Sequence, residues 1–468
     1  MNRGKCLVVF SISLLITLLA MSANAADHYV SPSGSAQWST CTSEATPCST
    51  TTAMANAIAG DTTYFRGGTY LLSRTDNNRF RPVLNPANSG TAGNPITFIN
   101  YPGESPLITY ATGVTGHGPL IGAYNRKYII WDGFIVQEVA ANNLQDTGPV
   151  VLVADSRGGT DNVILKNFDI RAVEIVLNPT TDNHNALRIE NATNSLVQNN
   201  RIHGVKGTFL NHSGITIYFS DHITIEHNEI YNNYSGVFAK GGDNTDVIIR
   251  YNLIHDGTVG VRKSFTLNSK VYQNIIYNMA AYGVMFAEST GTCTNVVANF
   301  DVFNNTIYTV DQGILMPGLP DRASGTGQDL RNNIISNTTY PLGLGNGCET
   351  NFQGDFSADY SNYFNYIAFR QGGADRTFAN WKTNTGWDAH SITSDPLFVN
   401  VAAHNFHLQA GSPAINAGID FGDLNNNGST TDPITQGAYV TGSEIIGLQG
   451  NIPSDSIPPA PPTNLVVQ

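Results

Sequence analysis

Charge is scarce in this chain: Asp, Glu, Lys and Arg make up 13% of 468 residues, where soluble domains carry about 25%. That excludes a long helical or coiled-coil rod, which needs periodic sequence rich in Ala, Glu, Lys and Leu. Cations are scarcer still, with 24 Lys+Arg against 36 Asp+Glu and a net charge of −12. Nucleic acid is thereby excluded as a partner, because its binders need a basic face. No run beyond the N-terminus reaches 18 apolar residues, so no membrane span is expected. Cysteines number five and never take a C-x2-C spacing, which argues against a zinc site. What the chain has in excess is 51 asparagines and 45 glycines. With 41% hydrophobic and 10% aromatic residues it can build a core, so wholesale disorder is excluded. The remaining class is an Asn/Gly-rich β-protein.

Residues 1–25 read as a secretory signal peptide, with Arg3 and Lys5, an apolar stretch from Cys6 to Leu19, and Ala23-Asn24-Ala25 for cleavage. The expected location is therefore extracellular or periplasmic. Removing the signal leaves Cys41, Cys48, Cys293 and Cys348. An even count in an exported chain predicts two disulfides, Cys41–Cys48 across a short loop and Cys293–Cys348 by elimination. Ser454–Gln468 is Pro-rich and then begins a strand; residues 446–468 resemble the opening of a fibronectin type III domain and read as an exposed tail.

Internal repetition is the most informative feature. Segments centred on Asn200, Asn228, Asn252, Asn274, Asn305, Asn333 and Asn362 share an alternating pattern, then Asn, any residue, and an apolar or aromatic one. Upstream, Gly followed by Val or Ile recurs at Gly214, Gly236, Gly260, Gly283 and Gly313, with Ala186 in the same place one repeat earlier. Two short alternating strands per repeat, separated by polar turns, predict the coils of a parallel β-helix over residues 26–445. Asparagine suits such coils because it tolerates left-handed corners and its amide can bond the next amide along the stack. A β-propeller, whose blades need longer and more regular repeats, fits less well.

Thr51–Ala59 predicts a short capping helix before the first coil. HYVSPSGS, the Cys41/Cys48 pair, GDTTYFRGGTY (Gly60–Tyr70), DPLFVN (Asp395–Asn400) and GSPAINAG (Gly411–Gly418) resemble secreted right-handed parallel β-helix proteins, a group rich in polysaccharide lyases. The resemblance implies an all-β solenoid and an extracellular glycan as partner.

Side chains alternate faces along a strand. Counted from the repeat glycine, the outward positions are Arg188 and Glu190, Thr216 and Tyr218, Phe238 and Lys240, Arg262 and Ser264, Met285 and Ala287. Lys240 and Arg262 fall on adjacent coils in a chain with few cations. β-Elimination from a uronate polymer needs a base for the proton beside the carboxylate and a cation for the charge that develops there. A lysine beside an arginine has its ammonium form disfavoured, which suits it as a base. Lys240 is therefore expected to be the base, Arg262 the carboxylate neutraliser or second base, and Tyr218 the donor to the leaving oxygen. Arg188, His212 and Phe238 are expected to bind substrate. The segments GVFAKGGDN and TVGVRKS also resemble the alginate lyase and chondroitinase B family, in which a Lys precedes an Arg by about one coil. That family carries calcium-binding glutamates before the Lys, where this chain has Asn233 and Ser235, and His-Gly after the Arg, where it has Lys263-Ser264. Glu190, with Asn211 or His212 nearby, is the remaining calcium donor the sequence offers. The reading is a monomeric, secreted lyase of acidic polysaccharide. Its rival is a non-catalytic glycan-binding or adhesion β-helix, in which Lys240 and Arg262 merely solvate one face.

Overall fold

The computed structural model describes residues 25–78, 80–116, 118–138, 149–155, 159–172, 183–207, 211–241, 244–264, 266–286, 298–316, 328–344, 356–450 and 452. Among these the chain winds into two long sheets of 13 and 18 strands. Successive coils pair in parallel, as in Thr160–Lys166 with Ala192–Gln198 and Asn185–Glu190 with Ser213–Tyr218. The architecture is the expected parallel β-helix. Its interior is a stack of small branched side chains: Leu187, Ile189, Ile215, Ile217, Val237 and Val261 are all fully buried. Towards the N-terminal end this gives way to rings, with Phe98 stacked on Trp131 at 4.4 Å. The N-terminal helix forms at Thr50–Asn56, its first turn held by the Ser49 side chain. A second helix, Phe378–Thr385, covers the far end with Trp381 packed on Phe369.

The asparagine repeat resolves into two adjacent columns. One residue of each repeat takes the left-handed conformation: Asn199, His227, Tyr251, Gln273, Asn304, Asn332 and Tyr360 have φ between 50° and 55°. The next residue is the ladder asparagine. Asn200, Asn228, Asn252, Asn274, Asn305 and Asn333 pass one amide hydrogen bond from coil to coil at 2.9–3.1 Å. Each after Asn200 also accepts at Oδ1 from the backbone N–H of the ladder residue before it, as Asn252 does from Asn228, and Asn200 accepts from the Phe168 N–H. The ladder ends on Ser361, which receives the Asn333 N–H at 3.2 Å. Asn362, expected as the seventh member, instead pairs with Ile334 in the strand register. The glycine column has a steric cause: a Cβ at Gly236 would lie 2.6 Å from the Gly260 carbonyl oxygen of the next coil.

After the last coil the chain turns back along the outside of the array. Gly437 donates to the Asn332 carbonyl at 2.7 Å, Ala438 to Thr306 Oγ1 at 3.0 Å, and Gly447 to the Tyr251 carbonyl at 2.7 Å. Gln449 donates to Asn199 Oδ1, so packed chain continues past the expected boundary at residue 445. Phe398, Phe406, Ala414 and Ala438 form a second apolar cluster between this strap and the coils.

Cys41 and Cys48 do not form the expected disulfide; both are buried free thiols. Each sulfur has a backbone carbonyl to bond, Trp38 for Cys41 and Tyr29 for Cys48, and burial holds the Cys48 thiol above its usual range. Cys293, Cys348, Ala287, the leader at 1–24 and the segment 454–468 lie outside the described residues.

Candidate active site

The strands Asn185–Glu190, Ser213–Tyr218, Ser235–Lys240 and Leu253–Lys263 carry the expected residues in register. Arg188, Thr216, Phe238, Arg262 and Met285 form one column, and Glu190, Tyr218 and Lys240 the next. Alternation of strand side chains puts both columns on the outer face, because Leu187, Ile189 and their equivalents fill the interior.

Lys240 and Arg262 meet at Phe238. The Arg262 guanidinium lies 4.4 Å from the centre of that ring and Lys240 Nζ 5.2 Å from it. Phe238 is 4% exposed and Arg262 6%, so neither is a solvated surface residue. Phe238, expected to bind substrate, packs against both cations. Lys240 Nζ donates to Asn211 Oδ1 at 2.7 Å and reaches Asn183 Oδ1 at 3.4 Å. Burial lowers its pKa to about 7, and Arg188 and then Arg262 add to the effect while Glu190 opposes it. The expected direction is right, but its main cause is desolvation rather than the neighbouring arginine. Burial also lowers the Arg262 guanidinium from its usual value.

Tyr218 packs beside Lys240. Its ring lies 6.0 Å from Lys240 Nζ and 5.1 Å from the Arg188 guanidinium. It can lie so close to the next coil because residue 241 is glycine: a Cβ there would be 1.9 Å from Tyr218 Cε2. Arg188 donates from Nε to Glu190 Oε2 at 2.6 Å. His212 is buried at 4% exposure and set edge-on to His184, ring centres 6.3 Å apart. Its backbone carbonyl accepts from the Ser235 N–H at 3.2 Å.

The calcium expectation meets a different environment. Glu190 is engaged by Arg188 and Asn211 by Lys240, so the donors named for the metal already hold protein cations. Among the described residues no group of three His, Cys, Asp or Glu side chains is placed to hold a metal ion. These residues do not fit a calcium site, and no step below is routed through one.

Three features of the site escaped sequence reasoning. Asn183 and Asn211 are the acceptors for Lys240, hidden among 51 asparagines of mostly structural role. Arg188 outweighs Arg262 in its effect on the amine. Lys263 points inward: it is fully buried, its Nζ lies 4.3 Å from the centre of the Phe300 ring, and that Nζ has no hydrogen-bond partner among the described residues. Strict alternation from Arg262 places residue 263 inside, and this was the signal available.

Comparison with known proteins agrees with the fold. Residues 151–316 and 185–357 match the family model described as right handed beta helix region. An uncharacterized protein of Bacillus subtilis (strain 168), YwoF, is 25% identical over 460 residues, covering 82% of this chain and 91% of that protein. The crystal structure of pectate lyase Pel9A superposes with a TM-score of 0.58 at 15% identity, covering 88% of this chain and 96% of that one. A rhamnogalacturonan lyase gives a TM-score of 0.49 at 13% identity, covering 80% and 91%. No helix among the described residues is long and apolar enough to cross a membrane. The coils, their register, the family-model match and the superposition on the pectate lyase structure agree that the chain is a right-handed parallel β-helix.

Proposed function

We propose that the protein is a secreted lyase that cleaves a uronate-containing polysaccharide by β-elimination, with Lys240 as the base. The observation that carries this reading is an outer-face lysine amine whose pKa is lowered to about 7, beside the buried cation Arg262 and the ion-paired Arg188. An amine near neutrality is a competent base at working pH, whereas an ordinary lysine is not. Two of its hydrogens are directed at Asn211 and Asn183, which leaves its lone pair for the substrate. The amine takes the proton from the carbon bearing the carboxylate, and Arg262 and Arg188 stabilise the negative charge that grows on that group. The electron pair then forms a carbon–carbon double bond as the adjacent carbon–oxygen bond breaks. Tyr218 protonates the departing glycosidic oxygen. The burial of Arg262 and Phe238 weighs against the rival in which the cations merely solvate a face.

The test is to incubate residues 26–468 with pectate, alginate and chondroitin sulfate, with and without calcium, and follow the ultraviolet absorbance of the unsaturated product. Absorbance is expected on one polymer, and Lys240→Ala is expected to lower kcat/KM by about 10²-fold or more. Absence of product on every polymer refutes the lyase reading, and binding without cleavage supports the non-catalytic glycan binder. Full activity in Lys240→Ala moves the site elsewhere.

A further inference from the structure

A column of corner residues borders the site. Glu190, Tyr218 and Lys240 are neighbours in register, so the residues that follow them, Asn191, Phe219 and Gly241, form the next column. Backbone bonds from Asn191 N–H to the Tyr218 carbonyl and from Phe219 N–H to the Gly241 carbonyl fix this stacking. All three are left-handed, with φ of 51°, 48° and 64°. Asn and Gly occupy that region readily, and a bulky residue does so only at a cost. Phe219 therefore takes a conformation that both neighbouring coils assign to a tolerant residue.

Burial does not repay this strain. Phe219 is 47% exposed, while Phe238 and Phe286, in strands of the adjoining sheet, are 4% and 1% exposed. The ring stands edge-on to Tyr218, centres 4.4 Å apart and planes at 88°. The Tyr218 ring in turn lies 6.0 Å from the Lys240 amine. A strained, solvent-facing aromatic ring thus stands at the rim of the cationic cluster, against the tyrosine that packs beside the proposed base. Tyr251 and Tyr360 take the same region at other corners, so it is the exposure of Phe219 beside the cluster, together with the strain, that points to a function.

We propose that Phe219 is an apolar platform on which a pyranose ring of the polymer stacks, in the binding position next to the one that carries the eliminated proton. The inference rests on the lyase reading of Lys240 and adds the chemistry of the adjoining unit. That unit presents a face of C–H bonds to the ring, while its hydroxyls and any carboxylate point to water. The edge of Tyr218 sets the angle of the platform, so the stacked sugar is held in line with the uronate against Arg188 and Arg262.

Phe219→Asn and Phe219→Trp separate a binding role from a purely structural one. Asn suits the left-handed corner, as Asn191 does one coil away, so Phe219→Asn is expected to unfold at a higher temperature than the wild type. On whichever of pectate, alginate or chondroitin sulfate the wild type cleaves, its KM is expected to rise about tenfold, the scale of one aromatic contact, with kcat little changed. Phe219→Trp keeps the platform and is expected to keep the wild-type KM. The same order is expected for polymer retention in a Lys240→Ala background, where nothing is cleaved. A more stable Phe219→Asn with an unchanged KM would overturn the platform and leave the lyase standing. A wild-type chain that neither cleaves nor retains any of the three polymers overturns both.

Discussion

Lys240 and Lys263 are both lysines withdrawn from water, and their surroundings separate their roles. Lys240 is partly open and directed at two amide oxygens, while Lys263 is enclosed between coils with an aromatic ring for company. Folded Lys240 releases its proton near pH 7 instead of its ordinary 10.5. Between those values the unfolded chain holds the extra proton, so stability climbs with pH across that window, and the cost of the buried charge is greatest below pH 7. Activity should follow the same group: kcat/KM is expected to rise with a midpoint near pH 7, and Lys240→Met should abolish the activity and make the pH-dependent climb in stability measured by denaturant titration shallower, the remainder coming from Lys263. Lys263 carries only the penalty, since burial holds its amine well below the usual lysine range. Lys263→Met is expected to stabilise the fold by about 1–3 kcal/mol, read as a higher unfolding midpoint, with the Phe300 contact preserved. At this scale the sequence was legible wherever alternation decided the answer, as for Arg188, Phe238, Lys240 and Arg262. It was silent on depth, because an outward position on a solenoid can still be roofed by its neighbours, as Arg262 and Ser264 are.

The ladder shows how one element carries both regularity and risk. Asn252 donates to Asn274 and to the Ile225 and Arg250 carbonyls, and accepts from Asn228 twice, all without exposure to solvent. Truncating it leaves several buried partners unsatisfied at once. Asn252→Ala is therefore expected to cost about 3 kcal/mol or more, measured as a shift in denaturant midpoint with an unchanged slope. Asn199, on the neighbouring left-handed column, is a different case: replacing it costs backbone preference and the strap contact rather than the ladder. The two columns were read from the sequence as one because both are rich in asparagine. Only the register separates them, and at Asn362 the pattern slipped by a single residue because Ser361, not an asparagine, ends the ladder.

At the scale of the molecule, a solenoid is a chain of neighbours in which each coil knows only the next, and such arrays can fray from their ends. The helices at either end oppose this, and so does the strap, which ties Asn332, Thr306, Tyr251 and Asn199 to one continuous segment. Ending the chain at residue 435 is expected to lower the unfolding temperature and to split a single calorimetric transition into more than one. The coils were legible from spacing alone. The strap was not, because its backbone contacts with the coils leave no period in the sequence, and its boundary was set too early for that reason. The strap also has a consequence for how the protein is made. Gln449 bonds Asn199 across 250 residues, so during synthesis every coil between them must form with its corner uncovered and wait for the strap. A nascent chain can stack its coils as they emerge, but it cannot close the column until residue 449 has been made. The strap therefore makes the fold sensitive to its own completion: a prematurely terminated chain has the coils and the Lys240 cluster, yet lacks the segment that holds them as one body.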